Sequence, residues 1–154
     1  MHTASVLIRL HEHQSRILRL IDAALPLLAQ EPSLARGGLA KARWTLLRLL
    51  REYQLFKHGE VFGPAIRYGA PRQAATAQRM RAACIAAGDL FTAHVARWSA
   101  QDIAACWPDY KGATRAMCDG LRLHIVRERR EVQELLAGTS DTRRQAEGRR
   151  ATVI

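Results

Sequence analysis

Four stretches of this chain repeat apolar residues at three- and four-residue steps, and Pro or Gly stands between them. That period belongs to a helix with one buried face, and no stretch alternates convincingly as a half-buried strand does. The first stretch covers residues 5 to about 30, with Leu10, His13, Ile17, Leu20, Ile21 and Ala24 as its stripe and Glu31-Pro32-Ser33 as its break. The second, about 39 to 62, places Trp44, Leu47, Leu50, Gln54, His58 and Val61 on one side, and Gly63-Pro64 closes it. The third, about 72 to 98, carries Ala77, Met80, Ala83 or Cys84, Ala87, Leu90, His94 and Trp98. The fourth opens at Ser99-Ala100-Gln101-Asp102, which has capping-box spacing, and bends or starts afresh near Pro108. Its stripe is Met117, Leu121, Val132 and Leu135, and Gly138-Thr139-Ser140 ends it. Four such helices with short connections predict an all-α, up-down-up-down four-helix bundle over residues 1–137. Residues 138–154 then form a basic, disordered tail. Trp98 and Trp107 bracket the turn between the third and fourth helices and are placed to pack together.

Composition agrees with helices. Apolar residues make up 48% of the 154 and aromatics only 6%, a mix poor in what sheets prefer. A chain of this length buries a core without disulfide or metal staples. No apolar run approaches the ~20 residues of a membrane span, and the N-terminus lacks the order of a signal peptide. A soluble cytoplasmic protein without membrane contact is expected. The odd trio Cys84, Cys106 and Cys118 holds no CxxC pair and reads as reduced, packed thiols. The net charge is +10, but the arginines are spread over every segment, part of the excess lying in Arg143, Arg144, Arg149 and Arg150. Without aromatic interleaving or a recognition-helix pattern, specific nucleic-acid binding is not expected; an acidic protein partner is the better fit.

The chemistry concentrates on the histidines. His13, His58, His94 and His124 each fall on the apolar stripe of a different helix, and Glu128 stands one turn from His124. Buried imidazoles and a buried carboxylate cost several kcal/mol unless something binds them, and a metal ion is one such partner. Metal sites in helical bundles are built from inward side chains of facing helices. His13, His58, His94, His124 and Glu128 are therefore the candidate ligands.

The phrases Leu10-His11-Glu12-His13, His58-Gly59-Glu60-Val61-Phe62-Gly63-Pro64, Phe91-Thr92-Ala93-His94 and His124-Ile125-Val126-Arg127-Glu128 carry a resemblance. In order and spacing the chain resembles the hemerythrin-like (HHE cation-binding) domain family over about residues 5 to 137. The resemblance implies a four-helix bundle binding non-haem iron, two ions in the typical member. It also implies His13, His94, His124 and Glu128 as ligands. The second helix departs from the family's HxxxE pair. Aligned on Pro64, the expected His falls on Gln54 and the expected Glu on His58; aligned on His58, the i+4 residue is Phe62.

With one inward carboxylate the ligand set suits a single ion better than two, because bridging carboxylates normally neutralise paired irons. Two functions remain open. One is a hemerythrin-like domain binding iron, as one or two ions, with a small diatomic ligand in oxygen, nitric oxide or redox sensing. The other is a metal-free, degenerate hemerythrin-like module that serves protein interaction or regulation. An oxidase at a single iron is a third class, for which no substrate pocket can be read.

Overall fold

Helix α1 spans His2–Ala24 and gives way at Pro26 to a 3-10 turn, Leu25–Ala29. The computed structural model describes residues 2–152, apart from the side chains of 139–143 and 145. Helix α2 spans Pro32–Lys57 and opens on its proline, whose missing N–H and fixed φ suit a first turn. It begins at Pro32, before the expected start near residue 39, and takes Gly37 and Gly38 into the helix. A π turn, His58–Phe62, follows without a break and leads into α3, Gly63–Tyr68. Helix α4 spans Pro71–Ser99, and the Gln73 side chain accepts from the Ala70 backbone N–H to cap it. Helix α5 runs Trp107–Ala151. The described residues contain helices and turns and no strand, so the all-α class holds.

Three boundaries differ from expectation, each for a local reason. Gly63-Pro64 does not stop the second run, because the wide π turn brings Gly63 close to the His58 carbonyl and needs no N–H from Pro64. A Cβ at Gly63 would lie 2.7 Å from that carbonyl oxygen, so the close approach requires glycine there. Asp102 does not complete a helix cap; it accepts from the Ala104 N–H in a turn, and Pro108 instead sits in the first turn of α5 with Asp109. Gly138-Thr139-Ser140 does not end α5, which continues to Ala151. Among the described side chains of α5 the last buried one is Leu135, and Arg144, Arg149 and Arg150 are exposed.

The main core takes Val6, Leu10, Ile17 and Ile21 from α1, Leu46, Leu47 and Tyr53 from α2, and Met80, Phe91 and Val95 from α4. Leu121, Ile125, Val132 and Leu135 complete it from α5. A second cluster, Leu28, Ala35, Leu39, Trp98, Ile103 and Tyr110, seals the end where α2 and α5 begin. There Tyr110 lies between the two tryptophans, with Trp98 edge-on at 5.2 Å and Trp107 stacked at 5.9 Å. Contacts fix how the long runs lie. Arg9 pairs with Glu60 and Gln14 with Tyr53, while Asp22 pairs with Arg122 and Gln14 with Arg129. Trp98 near the end of α4 meets Tyr110 near the start of α5, and Gln73 near the start of α4 approaches Gly138.

The buried stripes sit one residue from those expected at several places. On α1 the innermost polar residue is Gln14, beside His13, and on α2 it is Lys57, beside His58. Trp44 and Leu90, expected inside, are 57% and 67% exposed, and Phe91 is buried next to Leu90.

Candidate functional site

The centre of the core is polar, and Glu128 of α5 is its hub, 3% exposed. Tyr53 and Lys57 stand four residues apart on α2, one helical turn, and reach the same carboxylate oxygen. The Tyr53 hydroxyl donates to Glu128 Oε1 at 2.6 Å, and Lys57 Nζ donates to it at 2.7 Å. Lys57 is 2% exposed, and its ammonium also lies 3.9 Å from the centre of the Tyr53 ring. The other oxygen, Oε2, is 3.3 Å from His124 Nε2. Gln14 of α1 ties the group together: its amide donates to the Tyr53 hydroxyl at 2.9 Å, and its carbonyl accepts from Arg129 Nε at 2.9 Å. Arg129 reaches on to His11 at 3.2 Å. From α4 the buried Cys84 thiol lies beside Lys57. Each long helical run therefore supplies a member.

Electrostatics follow from this packing. Burial opposes ionisation of Glu128, but hydrogen bonding from His124 and the charge of Lys57 outweigh it and hold the carboxyl at about 2. Burial, and then the charge of Glu128, push the Tyr53 hydroxyl far above its usual range, so it remains a donor. Burial also raises Cys84. A carboxyl held below its unfolded value of 4.5 stabilises the fold fully above that value, and the contribution is lost as pH falls towards about 2. The stability difference between the native chain and Glu128→Gln is thus expected to narrow across that acid window. Denaturant midpoints at stepped pH measure it.

The five expected metal ligands lie in different surroundings, and His58 feels the charge of Glu128 without a hydrogen bond to it. Only His124 and Glu128 touch. His13 stacks on Phe56 at 4.9 Å and on Tyr53 at 5.9 Å, and burial lowers its pKa. His58 lies in the π turn against Phe62, with its Nε2 buried and unpartnered. His94 sits between Phe91 and Trp98, where burial and then Arg43 and Arg97 bring its pKa down to about 4. Among the described residues no group of three or more His, Cys, Asp and Glu side chains could hold a metal ion. The donor set does not fit one at the centre either, because three donors converge on Glu128 and a dication there would face the Lys57 ammonium.

The sequence reading missed Gln14, Tyr53, Lys57 and Arg129. Leu46, Leu50, Tyr53, Lys57 and Val61 recur at four, three, four and four residues. A lysine inside such a stripe, opposite a stripe that contains a glutamate, signals a buried ion pair. A cavity of about 100 Å³ borders the group and is lined by Tyr53, Lys57, Cys84 and His124, among others. Among the described residues no helix is long and apolar enough to cross a membrane. Compared with known proteins, the chain matches no family model, no curated protein and no solved structure.

Proposed function

We propose that this chain is an up-down-up-down four-helix bundle of hemerythrin-like layout whose centre is closed by a lysine–glutamate pair. On this reading it acts as a metal-independent protein-interaction or regulatory module for an acidic partner. The observation that carries the reading is Lys57 Nζ at 2.7 Å from Glu128 Oε1, both buried. A buried carboxylate needs a cation, and here the chain supplies its own. Support for the topology comes from the pairings 9 with 60 and 14 with 53 between the first two runs, and 98 with 110 between α4 and α5. Partner numbers that fall as residue numbers rise mark antiparallel neighbours. The charge of +10 favours acidic partners.

The iron-binding reading retains one favourable observation, the contact of His124 with Glu128. Metal analysis of protein from iron-supplemented cells, with an absorption spectrum in air, separates the two. The expected outcome is less than stoichiometric metal, no near-ultraviolet bands of oxo-bridged iron, and a melting temperature unchanged by chelator. Stoichiometric iron that is lost in a His124→Ala, Glu128→Ala chain would establish the metal reading instead, because a bound ion stabilises the folded state.

A further inference from the structure

Between α4 and α5 runs an open groove of about 520 Å³, lined from Ala87 to Trp98 on one helix and from Ala113 to His124 on the other. Eleven residue steps at 1.5 Å give about 16 Å, the length of three helical turns. Its α5 side carries the small residues Ala113, Ala116 and Gly120 beside Met117, Leu121 and His124, and nothing lies within 4 Å of where a Gly120 Cβ would stand. Leu90 lines it from α4 while 67% exposed. Arg97 is the one charged side chain among the lining residues, and no carboxylate joins it. Its guanidinium lies over the Trp98 ring at 4.6 Å, which fixes its position while leaving its donors available.

We propose that this groove docks an amphipathic helix of a partner protein, with apolar side chains against the Ala113–Gly120 side and an acidic side chain on Arg97. The inference rests on the interaction role proposed above and names its surface and the kind of partner. A groove three turns long accepts anchors at i, i+3, i+4 and i+7. Small lining residues let a third helix approach to the 8–10 Å at which helix axes usually pack. Charge decides the occupant: in a symmetric dimer this face would meet itself, and it has no carboxylate to offer Arg97. A partner helix with an acidic side chain does.

The test uses the full chain and two synthetic helical peptides of equal length, one with leucine and glutamate faces and one with leucine and lysine faces. Fluorescence anisotropy should show the Leu/Glu peptide binding about tenfold more tightly than its Leu/Lys counterpart. Ala116→Arg, at an exposed position, should abolish binding by filling the groove, and Arg97→Glu should invert the preference. Circular dichroism checks that both variants remain helical. No binding, equal binding of both peptides, or binding unchanged in both variants overturns the proposal. So does light scattering that shows a dimer dissolved by Ala116→Arg. Metal content of the same preparations keeps the two readings apart: metal-free protein that ignores the peptide sinks only the groove, whereas iron-loaded protein that binds it sinks only the metal-free module.

Discussion

Lys57→Met is expected to lower unfolding stability by about 3–5 kcal/mol, the largest effect of any single change at the centre of this fold. Methionine keeps most of the unbranched lysine stem, so the packing around position 57 survives and only the ammonium is removed. Glu128 then remains at 3% exposure with Tyr53 and His124 as donors and no cation at 2.7 Å. A carboxylate in that position either keeps its charge at a high desolvation cost or takes up a proton, and both routes destabilise the folded state. Chemical denaturation should show the midpoint moving down with the slope unchanged, since the surface exposed on unfolding is nearly the same. Removing charge from an exposed pair offers a contrast. Arg48 and Glu52 are both substantially exposed, and pairs of that kind contribute at most about 1 kcal/mol.

Trp98→Ala should cost a similar amount, about 3–5 kcal/mol, for a different reason. Trp98 is 1% exposed and fills the second core cluster beside Leu28, Ala35, Leu39, Ile103 and Tyr110. Its indole N–H has no partner, so truncation removes packing and no hydrogen bond. Trp98→Phe should therefore recover much of the loss, because a phenyl ring refills part of the space and removes a buried donor that nothing satisfies. Thermal unfolding of the three chains side by side checks both statements. A Trp98→Phe chain no more stable than Trp98→Ala would mean that the indole edge makes a contact the packing does not account for.

The sequence makes the helices legible because apolar residues at a 3.6 period admit little else, and α4 begins and ends within a residue or so of the expected positions. Breaks are less legible. Gly63-Pro64 and Gly138-Thr139-Ser140 both look like stops, yet a π turn absorbs the first and α5 continues through the second. A stop signal weighs local preference alone, and packing of the flanking turns can override it. Glu128 and His124, a carboxylate and an imidazole that interrupt an apolar stripe in the sequence, meet at the polar centre. On α1 and α2 the innermost polar residues are Gln14 and Lys57, the neighbours of His13 and His58. One residue is 100° of rotation, and two neighbouring stripes on these helices are almost equally apolar. Lys57 can lie on the buried side of α2 because Glu128 of α5 supplies its counter-charge at 2.7 Å.

The account turns on Lys57 and Glu128 acting as a unit, and a double-mutant cycle of unfolding free energies measures that directly. Lys57→Met, Glu128→Leu and the double substitution are compared with the native chain. If the pair closes the core, the double chain is more stable than the sum of the single losses allows, by roughly 1–3 kcal/mol, since removing both charges leaves neither stranded. Losses that simply add would show that the two side chains do not depend on each other, and the lysine would then have no claim to the place given it here.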